Sequence, residues 1–139
     1  MQEAGCTRIN FPIESGDQEV LKNIIKKPLD LKRVKDLLKH CQKIKLDYGL
    51  FLVVGMPGET IEDIWTSFKF AAEAECFSPH ISIATPYPGT ELYNHVVSHN
   101  SFDHRNYEIY EELGHHSLYN YFTKNIPREL HSPSRWRQA

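Results

Sequence analysis

Three strand-like runs, each followed by a tight turn and a helical pattern, constrain the fold of this chain more than any other feature. The runs are residues 8–13, 50–54 and 80–84. The first and third alternate apolar with polar residues, whereas the second is apolar throughout, as strands of parallel sheets are. Pro12 cannot donate to a strand ladder, which favours an edge strand or a position at the end of a strand. Strands that alternate with helices form βαβ units, so we expect an α/β fold of about three parallel βα units.

Helix signals follow each predicted strand. Asp17, Asp30 and Thr60 are capping residues placed before apolar residues at helical spacing, and Pro28 ends the first of these helices. A further short helix is expected over residues 91–98. The apolar positions of the first three helices are Val20, Leu21, Ile24 and Ile25; Leu31, Val34, Leu37, Leu38, Cys41 and Ile44; and Ile61, Ile64, Trp65, Phe68, Ala71 and Ala72. We expect these positions, including the two large aromatic residues, to pack against the sheet.

The last third of the chain differs from the rest. Beyond residue 99 the sequence becomes polar and aromatic, with helical patterns near 107–113 and 118–122 and no further strand pattern. We therefore divide the chain into residues 1–99, which carry the βα units, and residues 100–139. The second part is expected to be an irregular or helical extension that is partly mobile.

Net charge and cysteine spacing limit the possible partners and cellular setting of the chain. Its 139 residues carry a formal net charge of −2, and no apolar run approaches the roughly 20 residues of a membrane span. We therefore expect neither nucleic acid nor a membrane as a partner. Cys6, Cys41 and Cys76 lack the close spacing of disulfide frameworks and chelating motifs, which favours a reducing, cytoplasmic setting. The pair His115 and His116 lacks helical chelate spacing, so no metal ligand is predicted.

The three turns combine polar groups with backbone freedom. Glu14-Ser15-Gly16 places a carboxylate and a hydroxyl at the end of a strand, which suits ribose hydroxyls or an ammonium group, although helix capping explains the same residues. The second turn, 55–60, brackets a proline with two glycines but lacks the endings of a P-loop or a dinucleotide fingerprint. The third turn, 85–90, adds the aromatic face of Tyr87. Because parallel strands end at one edge of a sheet, we expect the turns side by side where ligands bind.

Together, the segments AGCTRINFPIESG, LFLVVGMPGET and ISIATPYPGTELY resemble the radical S-adenosylmethionine (radical SAM) superfamily. The similarity is greatest to its branch with cobalamin-binding relatives and methylthiotransferase-like enzymes, and it covers Ala4 to about Tyr93. It implies a partial TIM barrel of six βα units, in which these strands are the fourth, fifth and sixth. Residues 1–99 would then be the C-terminal half of that barrel.

The resemblance also implies which residues contact SAM. Glu14 and Ser15 would meet its ribose and methionine parts, and Lys26 its methionine carboxylate. The remaining implied contacts lie along the adenine, and they are Val53, Gly55, Met56, Pro57, Ala84, Thr85 and Tyr87. The cofactors implied for the full-length protein are SAM and a 4Fe–4S cluster, with cobalamin in some relatives.

The chain departs from the family where the cluster binds, because it contains no CxxxCxxC segment. The resemblance therefore implies the C-terminal part of a radical SAM enzyme domain, which adds SAM-contacting turns and part of a substrate cavity but is inactive alone. Its partners would be SAM, an unidentified substrate and the missing N-terminal half of the barrel. Two alternatives stay open. One is a non-catalytic α/β remnant that self-associates or binds a partner through its exposed sheet edge, and the other binds SAM or a nucleotide without chemistry.

Overall fold

The computed structural model describes residues 4–76 and 79–99. The elements in these ranges are β1 Arg8–Glu14, a π-helix Val20–Ile24, α1 Leu31–Lys43, β2 Asp47–Val54, α2 Ile61–Glu73, β3 His80–Ile83 and α3 Glu91–Ser98. The helices predicted near 107–113 and 118–122 lie outside the described residues. None of the described helices has the length and apolar character needed to cross a membrane.

The three strands form one parallel sheet in the order β1–β2–β3. This confirms the predicted α/β fold, and within the described ranges the strand that contains Pro12 lies at an edge of the sheet. β2 begins three residues before its apolar run, because Asp47 pairs with Arg8 and the next two residues also pair with β1. All three strands end at the same edge of the sheet, and the three turns follow there.

The core lies between the sheet and the first two α-helices. Ile13 and Leu50 of the sheet pack with Leu38 of α1 and Phe70 of α2, and all four are buried. Burial of each such side chain stabilises the fold by roughly 1.5–3 kcal/mol. Cys41 is also buried, as its place in the apolar stripe predicted.

Four positions of the predicted stripes are exposed, so the expectation that they pack against the sheet is wrong. Leu37 and Ile44 of α1 are 52% and 37% exposed, Trp65 of α2 is 41% exposed, and Ala72 is exposed as well. These residues lie at the margins of the stripes, and a helix turns only part of its circumference towards a sheet. Trp65 meets the edge of Phe68 with 5.7 Å between ring centroids, and Phe68 itself packs against the core.

The first predicted helix is a π-helix rather than an α-helix. The amide of Ile25 donates to the carbonyl of Val20 at 2.9 Å, a bond from residue i+5 to residue i. Asp17 precedes it, as predicted, and its Oδ1 accepts the amides of Glu19 and Val20 at 2.8 and 3.1 Å. Such segments are frequent at functional sites, and this one leads into Lys26, which borders the cavity described below.

The face of the sheet opposite the helices is polar. Arg8 lies across it, donating to Asp47 Oδ2 at 2.7 Å and to Asn10 Oδ1 at 3.3 Å. A Cβ on Gly49 would lie 2.5 Å from Asn10 Oδ1, so glycine makes room for these side chains above β2. Further along the strands, the ring of His80 meets that of Phe51 edge-on at 5.1 Å. This face therefore presents charged groups at one end and aromatic groups in the middle.

Candidate functional site

The turn after β1 has an uncommon backbone shape. Glu14 has a φ of +68°, and the Ser15 amide donates to the carbonyl of Ile13 at 2.9 Å, which closes a three-residue γ-turn. γ-turns with positive φ are rare and strained. The other three non-glycine residues with positive φ in the described ranges end helices, where this conformation is common. Glu14 alone among them lies at the end of a strand.

The rest of this turn packs against α2. Ser15 is fully buried, and its Oγ lies 3.0 Å from Ser67 Oγ. The Gly16 amide donates to the same Ser67 Oγ at 2.8 Å. A Cβ on Gly16 would lie 2.7 Å from Ser67 Cα, so the close approach requires glycine. The motif is thus divided, since Glu14 borders the cavity while Ser15 and Gly16 contact the helix.

Two lysines lie beside this turn. Lys27 Nζ contacts Glu14 Oε1 at 3.0 Å, with both side chains between a quarter and a third exposed, and it also donates to the carbonyl of Pro12. Lys26 Nζ contacts Glu91 Oε2 of α3 at 2.8 Å and lowers the pKa of that exposed carboxyl. Water screens the Lys26–Glu91 pair more strongly than the Lys27–Glu14 pair. Lys26 is therefore the lysine that can leave its partner at lower cost.

The turn after β2 is organised by Glu59, which was not among the predicted site residues. Glu59 is 2% exposed, and its Oε2 accepts the amides of Gly55 and Met56. Its Oε1 has no hydrogen-bond partner among the described residues. Burial raises the pKa of Glu59 to about 7, although the two amides lower it, and the nearby charge of Asp63 adds to the rise. The carboxyl group ties the turn to the end of β2.

α2 starts directly after Glu59 with a capping box. Thr60 Oγ1 accepts the amide of Asp63 at 3.3 Å, and Asp63 Oδ2 accepts the amide of Thr60 at 2.8 Å. This confirms the cap predicted at Thr60. The second turn and the first turn of α2 therefore form one hydrogen-bonded unit.

The turn after β3 is tied to the central strand. The amide of Ala84 donates to the carbonyl of Val54 at 2.9 Å, and Ala84 is buried. Thr85 Oγ1 donates back to its own strand at 3.2 Å, while Tyr87 is 48% exposed. Thr90 caps α3 through its side chain. This turn therefore offers backbone atoms and one exposed ring.

A cavity of about 400 Å³ opens where the first two turns meet. It is lined by Glu14, Ile25, Lys26, Lys27, Pro28, Val53 and Met56. Its volume lies in the range of small-molecule sites, and it combines an apolar wall with a carboxylate and two ammonium groups. Of the ten predicted site residues, the structure brings Glu14, Lys26, Val53 and Met56 together here. Gly55 and Pro57 adjoin Met56 in the chain, Ser15 and Ala84 are buried elsewhere, and Thr85 and Tyr87 belong to the third turn.

A larger groove of about 890 Å³ lies on the helix side, between the π-helix, α1 and α2. It is lined by helix and loop residues and shares only residues 26–28 with the smaller cavity. Its Lys35 is engaged in an ion pair with Glu73 at 2.8 Å. The smaller cavity is the better candidate, because two of the three turns meet there.

The described residues do not fit an iron–sulfur cluster. Among them there is no group of three or more His, Cys, Asp or Glu side chains that could hold a metal ion. Cys41 and Cys76 are buried, and burial raises the pKa of the Cys41 thiol, whereas Cys6 precedes β1. No chemical step is therefore assigned to a cluster held by these residues.

Comparison with known proteins finds one matching family model and several similar proteins. Residues 1–71 match the model of the radical SAM superfamily. Cytidylyl-2-hydroxyethylphosphonate methyltransferase of Streptomyces wedmorensis is 38% identical over 103 residues, which are 70% of this chain and 19% of that protein. An uncharacterized methyltransferase of Pyrococcus horikoshii is 31% identical over 113 residues, 81% of this chain and 24% of that protein. The tRNA-2-methylthio-N(6)-dimethylallyladenosine synthase of Deinococcus radiodurans is 29% identical over 93 residues, 65% of this chain and 18% of that protein.

The chain spans about a fifth to a quarter of the length of the first two relatives. The family match runs from β1 through most of α2, and it includes both turns that border the cavity. The resemblance inferred from the three sequence segments is confirmed. The chain belongs to the radical SAM superfamily.

Proposed function

We propose that this chain forms one wall of the SAM site and part of the substrate cavity of a radical SAM enzyme that transfers a methyl or methylthio group. The observation that carries the proposal is the cavity at which Glu14, Lys26, Val53 and Met56 meet, at the carboxyl edge of a parallel sheet. The activities of these relatives, methyl transfer and methylthio-nucleoside synthesis, support the reaction class. The proposal includes a cytoplasmic setting and the division into residues 1–99 and an extension.

The proposed site assigns a role to each wall of the cavity. Glu14 accepts hydrogen bonds from the ribose hydroxyls or the methionine ammonium of SAM. Lys26 leaves its ion pair with Glu91 and pairs with the methionine carboxylate of SAM instead. Val53 and Met56 pack against the adenine. The adenine side is completed by Gly55, Pro57, Ala84, Thr85 and Tyr87. Ser15 supports the turn rather than donating from its hydroxyl to SAM, because that hydroxyl is buried beside Ser67.

The cofactor chemistry would come from outside the described residues. In the full-length protein, residues of the N-terminal half of the barrel would hold a 4Fe–4S cluster, which would supply the electron that cleaves SAM to methionine and a 5′-deoxyadenosyl radical. Cobalamin, implied for some methyltransferase relatives, has no assigned residues in this chain. The polar face that carries Arg8, Phe51 and His80 would line the barrel lumen and contact the substrate.

A second candidate function is association through the sheet edge. Within the described ranges, β1 and β3 each pair with β2 alone, so each leaves one edge without a strand partner. The partner would be a second copy or the missing half of the barrel. Size-exclusion chromatography with mass detection tests self-association, and a folded, strictly monomeric chain would argue against it.

Calorimetric titration of the 139-residue chain with SAM tests the main proposal. We expect saturable binding that Glu14→Gln weakens, because the amide lacks the charge that the ligand donors require. Glu62→Gln is the matched control, since Glu62 is an exposed carboxylate of the first turn of α2. The absence of binding heat up to roughly millimolar SAM would overturn the proposal for this chain.

A further inference from the structure

We propose that Ser67 of α2 is a positioning residue, whose hydroxyl holds the strained turn that presents Glu14 to the cavity. Its expected effect on SAM rests on the proposed function. Its effect on the turn does not, because the contacts are present without a ligand. Ser67 is 52 positions from Ser15 in the chain and is not one of the residues that line the cavity.

The hydroxyl of Ser67 serves two groups of the turn at once. It accepts the Gly16 amide at 2.8 Å and shares a hydrogen bond of 3.0 Å with the hydroxyl of Ser15. Ser15 and Ser67 are 0% and 2% exposed, and Ser15 Oγ also accepts the amide of Asp17 at 3.1 Å. In such a buried network, loss of one hydroxyl leaves its partners unsatisfied, which costs more than the bond itself contributes.

The hydrogen bonds of Ser67 can stabilise the strained backbone conformation of Glu14. A positive φ at a glutamate persists only where the surroundings fix it, and the residues that follow Glu14 are the ones anchored to α2. The Lys27 contact to the Glu14 carboxylate comes from a long, flexible side chain, which fixes a backbone angle poorly. By contrast, the backbone amide of Gly16 donates directly to Ser67 Oγ, and the hydroxyl of Ser15 reinforces that contact. Without these hydrogen bonds, we expect the γ-turn to relax and Glu14 to leave the cavity wall.

The same helix also supports the other wall. Glu59, just before α2, holds the amides of Gly55 and Met56, and Ser67 lies about two helical turns further along. A helix of this length is stiff, so α2 fixes the distance between the turn of Glu14 and the turn of Met56. None of the three sequence segments that resemble the radical SAM superfamily contains Ser67, so its contact with the turn of Glu14 is visible only in the structure.

The experiment compares Ser67→Ala with Thr66→Ala in the 139-residue chain. Thr66 is a matched control on the same helix, because its hydroxyl bonds only to the carbonyl of Glu62 in its own helix. Hydrogen exchange of assigned backbone amides is measured by NMR without ligand, and SAM affinity is measured by calorimetry. In Ser67→Ala we expect about tenfold faster exchange of the Ser15 and Gly16 amides and about tenfold weaker SAM binding, with core amides such as that of Leu52 unchanged.

A Ser15→Ala variant and the double variant test whether Ser67 acts through the turn. If it does, the two substitutions are non-additive, because either one breaks the same network. Unchanged exchange at Ser15 and Gly16 in Ser67→Ala would overturn the proposal, and so would equally faster exchange across the whole sheet, which indicates a role in core stability alone. A natural chain that binds no SAM would instead overturn the proposed function, and the exchange data would still decide the role of Ser67.

Discussion

At the scale of single residues, Glu59 makes the stability of the chain depend on pH. Its pKa rises from 4.5 to about 7 on folding, because burial penalises the carboxylate. The folded chain therefore holds this proton more tightly than the unfolded chain does. The stability that Glu59 contributes is fully present below about pH 4.5 and is lost as the pH rises through about 7.

Glu59→Gln removes this dependence, since glutamine keeps the carbonyl acceptor for the two amides but cannot ionise. As the pH rises from about 5 to about 8, we expect the free energy of unfolding of the variant to increase relative to that of the natural chain, by up to about 3 kcal/mol. Urea unfolding at both pH values measures the difference. The control is Glu62→Gln, an exposed carboxylate, and parallel pH profiles for Glu59→Gln and the natural chain would contradict the prediction.

Single residues also show which parts of the candidate site can be predicted from the sequence. Glu14 is a site candidate from the sequence because ligands bind at the carboxyl ends of the strands of parallel sheets, and because its segment resembles the radical SAM superfamily. The burial of Ser15 was not predictable, because its partner Ser67 lies 52 positions away and looks like an ordinary helix residue. Glu59 did leave a signal, since a carboxylate four positions after Gly55 can fold back onto the last amides of the strand.

At the scale of elements, α2 depends on its capping box. Thr60→Ala removes the side chain that accepts the Asp63 amide, and such changes cost about 1 kcal/mol. We expect the midpoint of thermal unfolding to fall, whereas Thr66→Ala, which removes a half-buried hydroxyl bonded within the same helix, should leave it nearly unchanged. An equal effect of the two substitutions would show that the box contributes no more than helix propensity.

Helix caps were more predictable than the width of an apolar stripe or the type of a short helix. The caps at Asp30 and Thr60 and the bounds of α3 were correct, because capping is local and depends on side chains within the first turn. The exposure of Trp65 was not predicted, since helical periodicity gives the centre of an apolar stripe but not its width. The π-helix had the spacing of an α-helix, and the extra residue per turn leaves no clear mark in so short a segment.

At the scale of the whole molecule, we expect the chain to assemble no iron–sulfur cluster. Two of its three cysteines are buried, and a cluster requires several thiolates that converge on one point. The check is anaerobic reconstitution with iron and sulfide, followed by absorbance in the region of thiolate-to-iron charge transfer. A Cys6→Ser variant accounts for iron held loosely by the one partly exposed thiol, and one cluster per natural chain would prove the prediction wrong.

The parallel sheet has a consequence for how the chain reaches its fold. Arg8 and Asp47 are neighbours across β1 and β2 although 39 positions separate them, and a helix stands between the strands of each pair. No hairpin can start the sheet, so each pairing must wait until a long crossover has closed. Chains rich in such distant contacts refold slowly, and their strand edges stay open to other copies meanwhile. Protein concentration during refolding should therefore decide between the native fold and aggregate more than the final stability does.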